Sequence, residues 1–249
     1  QLEYGMTSEE FDEDYVPFVG KSLGNGVTLG EQVHTLLPYM FYNSGITSLT
    51  IPGTVMEIKD NVFYNCKSLA SVRFEAGTEN LTIGFQPGSD ERGPFYQSPL
   101  TNIYVNRELV ASAAYATARD QKDEGIFSTP SNNRKVKVTL QGNVNTISDY
   151  MFSGVNMQTI WIPREVTTIC KGAFYNCSSL YGMTLAHSGT FPTLIEDDIK
   201  SDGGGAFKWT LLNDPDLNNN ERWIALEDGS AENLKMFRTG TNWSYYAYI

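Results

Sequence analysis

The chain has 249 residues, 41% of them hydrophobic and 12% aromatic, enough apolar surface to offset the entropy of ordering a folded core. Its 29 Asp and Glu against 18 Lys and Arg leave a formal net charge of −11, which at long range repels nucleic acid and an anionic membrane surface, so neither is an expected partner. No apolar run reaches the roughly 18 residues of a membrane-crossing helix, and the first residues hold no basic-then-apolar secretion signal, so any leader or lipid anchor would lie outside this stretch of chain.

Residues 1–26 open with the acidic steps Glu9-Glu10 and Asp12-Glu13-Asp14 and read as an N-terminal cover. From Val27 a unit recurs. It has an apolar-x-apolar strand, a turn, a Val-x-x-Ile step, and a Phe that begins the return. The strands are Val27-Thr28-Leu29, Leu49-Thr50-Ile51, Val72-Arg73-Phe74, Ile103-Tyr104-Val105, Val138-Thr139-Leu140, Ile160-Trp161-Ile162, Met183-Thr184-Leu185 and Ile224-Ala225-Leu226. In each, the outer two side chains point inward and the middle one outward, because strand side chains alternate. Phe41 to Phe63 and Phe152 to Phe174 are 22 residues apart, and Leu49 to Val72 and Ile160 to Met183 are 23, the period of a leucine-rich coil.

A longer repeat lies over the short one. A shift of 111 residues carries Ile51-Pro52 onto Ile162-Pro163 and Val62-Phe63-Tyr64-Asn65-Cys66 onto Ala173-Phe174-Tyr175-Asn176-Cys177. The spacings therefore predict a leucine-rich repeat, right-handed solenoid of about eight coils, mainly β with short parallel strands and little helix. It covers residues 27–226 in two similar halves, and residues 227–249 form a C-terminal cap. A single coil buries too little to fold alone, so the coils stabilise one another as one stack.

Pro52 and Pro163 turn the chain away from the sheet where a missing amide donor does no harm. Asn43, Asn65 and Asn176 sit at turns that an Asn side chain can satisfy. Insertions at residues 75–94 and 186–206 follow equivalent units, and the Ala-rich residues 108–122 suggest a short helix. Cys66 and Cys177 share one repeat position and read as small buried hydrophobes. Cys170 falls on an outward position and is the candidate exposed thiol.

The step Ile46-Thr47-Ser48-Leu49-Thr50-Ile51-Pro52, followed by Val55, Ile58 and Val62-Phe63-Tyr64-Asn65-Cys66-Lys67-Ser68-Leu69, resembles the repeat of the BspA-type leucine-rich family of bacterial cell-surface proteins. Met157-Gln158-Thr159-Ile160-Trp161-Ile162-Pro163 through Ser179-Leu180 is a second match. The resemblance implies a secreted or surface-anchored location, adhesion or host-protein binding, and no shared catalytic residues. It also implies a closing unit in which a strand from Trp223, a short helix over residues 230–237 with Ser230 as its N-cap, and Trp243-Ser244-Tyr245-Tyr246-Ala247 finish the stack.

Chemistry is sparse. His34 and His187 fall at different repeat positions with no nucleophile motif beside them, and the acidic runs, Glu196-Asp197-Asp198 included, lack both a facing partner and calcium-loop spacing. Gly203-Gly204-Gly205 lacks the Lys-Ser/Thr of a phosphate loop. No catalytic group, metal site or cofactor is expected, and the chain does not read as an enzyme. Surfaces are the better candidates. Trp161 and Tyr104 point outward from a Thr-lined sheet with Arg73, Lys137 and Thr159 nearby, the residue types of binding hot spots. A second stripe, Tyr42, Tyr64, Tyr96 and Tyr175, follows the return Phe in each coil and is expected mainly to stack on itself. The expected function is non-catalytic binding of a protein or glycan; the alternative is a spacer with no ligand of its own.

Overall fold

A computed structural model describes residues 18–84, 93–112, 125–127, 134–186, 192–194, 206–207, 210 and 212, and the backbone of 223–226, 235–239 and 242–246. The sequence alternation becomes a parallel sheet of β2 (Ser48–Ile51), β4 (Ser71–Phe74), β6 (Asn102–Val105) and β8 (Lys137–Leu140), taken up again by β10 (Thr159–Ile162), β12 (Gly182–Leu185) and β14 (Trp223–Leu226). Register carries the repeat, with Leu49 opposite Val72, Val72 opposite Ile103, and Ile160 opposite Met183. Seven of the eight expected strands are therefore present. Val27-Thr28-Leu29 is not a strand. Gly24, at φ +57°, and a turn bond from Gly26 N to the Leu23 carbonyl divert the chain after one bridge to Ile46.

A second sheet runs along another side of the stack. It consists of β1 (Thr35–Leu36), β3 (Glu57–Ile58), β5 (Leu81–Ile83) and β7 (Leu109–Ala111), then β9 (Thr146–Ile147), β11 (Thr168–Ile169) and β13 (Thr193–Leu194). The Val-x-x-Ile step feeds these strands. Most are too short to announce themselves by alternation. The segment Leu81-Thr82-Ile83 inside the first insertion is thus a regular rung, and Leu109–Ala111 is strand where the Ala-rich stretch suggested helix; residues 113–122 lie outside the described residues. At the end, β15 (Lys235–Thr239) pairs antiparallel with β16 (Asn242–Tyr246). Residues 235–237 are therefore strand rather than the end of the expected cap helix, and 227–234 lie outside the described residues.

Between the sheets, eight phenylalanines form one continuous ladder. Phe18, Phe41, Phe63, Phe95, Phe127, Phe152, Phe174 and Phe207 stack in that order with ring centroids 5.0 to 5.8 Å apart. The ladder spans both halves, so the 111-residue repeat makes one stack rather than two bodies. Beside it, Asn43, Asn65 and Asn176 hold φ of +51° to +58°, the left-handed region that Asn tolerates best after Gly. At three of the rungs a small donor reaches back one coil: Cys66 Sγ to the Phe41 carbonyl at 2.8 Å, Ser98 Oγ to the Phe63 carbonyl at 2.6 Å and Cys177 Sγ to the Phe152 carbonyl at 3.0 Å. The two cysteines are therefore buried as expected, and each also caps a carbonyl.

The coil of residues 137–152 joins the halves unevenly. Its first strand, β8, pairs with β6 but not with β10; its second, β9, pairs with β11 but not with β7. Side chains bridge the gaps. Glu108 accepts the Thr146 amide at 2.9 and 3.2 Å, and Ser148 Oγ donates to the Leu109 carbonyl at 2.7 Å. A small cavity lined by Val105, Arg107, Leu109, Leu140, Val144 and Met151, among others, lies at the β7 to β9 gap.

Arg107 is 1% exposed, and its guanidinium is held by backbone carbonyls. From the coil of β6 it crosses to earlier coils, where Nη1 donates to the Val55 carbonyl at 2.8 Å and to those of Pro52 and Gly53 at 3.4 and 3.3 Å, and Nη2 donates to the Glu79 carbonyl at 2.6 Å. Gly77 leaves the passage open. A Cβ there would stand 2.8 Å from both Arg107 Cζ and the Gly53 carbonyl oxygen.

Asp60 is also buried, at 4% exposure, with Oδ2 accepting from Asn61 Nδ2 at 3.1 Å. Burial pushes its carboxyl up from the ordinary carboxylate value, partly opposed by bonds from its own amide and from Asn61. An acid with a raised folded pKa favours folding when protonated; that contribution is full below the unfolded pKa and is lost as pH rises through the folded one. Asp60→Asn is therefore expected to raise the urea midpoint at neutral pH, with the gain vanishing below about pH 4. An equal gain at both pH values would show that ionisation of Asp60 is not the cause.

Candidate binding face

Strand register sets the outward residues of the first sheet in a row. Thr50 lies opposite Arg73, Arg73 opposite Tyr104, Tyr104 opposite Thr139; beyond β8 the row resumes with Trp161 opposite Thr184 and Thr184 opposite Ala225. Trp161 is 41% exposed, an indole left in water by the same alternation that buries Ile160 and Ile162. Exposed Arg73 places its guanidinium 4.6 Å from the Tyr104 ring centroid. Lys137 and Thr159, at the starts of β8 and β10, are exposed as well, and Lys135 joins them because buried Val136 separates the two lysines.

All five face residues expected from sequence thus lie on one side of adjoining strands. Tyr104 and Trp161 are two strands apart, about 10 Å at ordinary strand spacing. Sequence reasoning missed Lys135, which the same alternation extended one step before β8 would have found.

The tyrosine stripe divides. Tyr42, Tyr64 and Tyr96 stack with centroids 5.4 and 5.7 Å apart, the self-packing that alternation favours. Tyr175 is only 8% exposed and meets Tyr150 edge-on at 6.2 Å, while Ser153 occupies the tyrosine position in the coil before it. Repeat position places these residues on one side but does not say what covers them.

The remaining chemistry is structural. His34 Nδ1 lies 3.0 Å from the Thr54 carbonyl. His187, all three acidic runs and the triple glycine lie outside the described residues. Among the described residues no group of three or more His, Cys, Asp or Glu could hold a metal ion, and no helix is long and apolar enough to cross a membrane. Cys170 is half-buried rather than exposed, and burial, with Asp149 and Glu108 nearby, pushes its thiol up to about 11. Burial pushes Cys177 to about 12 and raises Cys66 too, so thiolate chemistry is disfavoured at all three.

Residues 18–116 and 123–195 match the BspA type leucine rich repeat region in six copies. A crystal structure of a leucine rich cell surface protein from Faecalibacterium prausnitzii A2-165 is similar at 24% identity over 71% of this chain and 50% of that one, with a TM-score of 0.34. The chain spans about half the length of that protein. No curated protein matches it. With the family pattern running through more than half of its residues, on the parallel coils that pattern encodes, the chain belongs to the BspA-type leucine-rich repeat family.

Proposed function

We propose that the protein is a non-catalytic, adhesin-like binding protein of the cell surface that recognises a protein or glycan through the outward face of its first sheet. The observation that carries the reading is Trp161. A large aromatic ring 41% exposed on β10, beside the break in the first sheet's backbone ladder, costs apolar hydration in the free protein and is the kind of anchor that binding hot spots use. Family membership supports a surface role.

Tryptophan fluorescence tests the reading. Titrating the wild type and Trp161→Ala with host matrix proteins and glycans is expected to give a saturable change that the variant lacks, the other indoles at Trp209, Trp223 and Trp243 being retained in both. Should no candidate elicit a Trp161-dependent signal, and should a soluble quencher fail to reach Trp161 in the free protein, the sheet-face site is removed and the spacer reading takes its place.

A further inference from the structure

We infer that the sheet face takes an acidic polysaccharide, with Trp161 as the stacking platform for a sugar ring and Arg73, Lys135 and Lys137 as the contacts for its carboxylate or sulfate groups. The inference rests on the sheet face being the binding surface and names the class of ligand. Charge carries it. The seven first-sheet strands contain Arg73 and Lys137 and no Asp or Glu, although the whole chain stands at −11. Lys135 extends the cationic line before β8; by the same alternation exposed Glu75, two residues after Arg73, is an acid on the outward side just past the end of β4, so the cations outnumber it three to one. At physiological salt the Debye length is about 8 Å, so the acidic remainder of the molecule is screened while an anion seated on the face meets the local cations directly.

Geometry narrows the occupant. Arg73 is stacked on Tyr104, which leaves the in-plane N–H groups of a stacked guanidinium directed sideways, where they match a carboxylate or sulfate in bidentate fashion. The cations and the exposed indole are spread across the neighbouring strands β4 to β10, about 14 Å from first to last. That distance suits a short run of sugar units. Among them lie Ser71, Asn102, Thr139 and Thr159, with Thr184 beside Trp161 on β12, short polar side chains suited to hydroxyl groups and unable to form an apolar socket for peptide side chains. β4 and β6 are hydrogen-bonded on both sides, so a peptide cannot add to them as a further strand.

The test titrates the whole chain with heparin, polygalacturonate, neutral dextran and polyglutamate, reading Trp fluorescence and dissociation constants. Expected is binding of heparin or polygalacturonate that weakens about tenfold or more in Arg73→Gln/Lys137→Gln and in Trp161→Ala and declines with added salt. Lys21→Gln/Lys59→Gln changes the net charge equally, away from the face, and is expected to bind as the wild type does. Dextran bound through Trp161 and indifferent to the Arg73/Lys137 change would overturn the acidic ligand while leaving the binding face standing. Polyglutamate bound as tightly as heparin, with Trp161→Ala without effect, would reduce the face to simple charge attraction and overturn the glycan. Absence of any Trp161-dependent binding, here and in the matrix-protein screen, would remove both the ligand class and the face.

Discussion

Phe63→Ala is expected to lower stability by about 3–5 kcal/mol, the usual cost of removing a buried phenylalanine ring. Phe63 is 0% exposed and stacked on both sides, 5.3 Å from Phe41 and 5.0 Å from Phe95, so its removal opens a void that neither neighbour can fill without leaving its own place in the ladder. Folded proteins hold about 5–15 kcal/mol in all, which makes this a large fraction. Urea denaturation followed by circular dichroism reads the loss as a lower midpoint. Phe63→Leu retains most of the volume without the ring stacking and is expected to fall between the two. A loss below about 1 kcal/mol for the alanine variant would mean that the ladder is not a principal source of cohesion between coils.

Arg107→Ala is expected to be comparably damaging, about 3–5 kcal/mol, because it strips a charged donor from carbonyls of two other coils and leaves a space inside the stack. The Val55 carbonyl belongs to a buried residue and has little access to water once Nη1 is gone, whereas Glu79 is exposed and can be rehydrated. The damage therefore concentrates at Val55. Arg107→Lys supplies one ammonium where the fork reaches in two directions, so it is expected to recover only part of the loss. Thermal or urea unfolding of the three proteins decides. If lysine restores the wild-type midpoint, positive charge rather than the fork is what the site requires.

Much of the fold is legible in the sequence because a parallel coil repeats its inward side chains at nearly constant spacing. Phe41, Phe63, Phe152 and Phe174 stand out at 22-residue intervals. Phe95, Phe127 and Phe207 belong to the same ladder but follow longer intervals, since residues inserted between rungs lengthen the sequence period without moving the rungs. Lengthening a loop costs only about 0.6 kcal/mol per doubling, so spatial period and sequence period can part company. The second sheet is less legible for another reason, as two-residue strands have no periodicity to detect. Arg107 escaped because an arginine just after a strand normally reads as solvated, and it is the absence of a side chain at Gly77, in a neighbouring coil, that makes room for it.

The candidate face divides in the same way. Alternation places Trp161, Tyr104 and Arg73 outward, and it does so from β2 to β14 without knowledge of tertiary contacts. It does not reveal that Arg73 lies over Tyr104, which depends on the register between β4 and β6. Nor does it reveal that Tyr175 is covered while Tyr42, Tyr64 and Tyr96 remain partly open.

The uneven coil of residues 137–152 bears on how the stack comes apart. In a molecule whose cohesion is a sum of nearest-neighbour contacts, the weakest junction sets the boundary of cooperativity. Here the backbone ladder lapses on one side in the first sheet and on the opposite side in the second, and Glu108, Ser148 and the stacked rings of Phe127 and Phe152 span the β7 to β9 side. Tension applied along the solenoid would concentrate at this joint, so that the two halves yield in sequence and each absorbs work separately. Amide exchange would mark the same joint as the border between two foldons. A stack built this way would lengthen at one place under load while the remaining coils keep their shape.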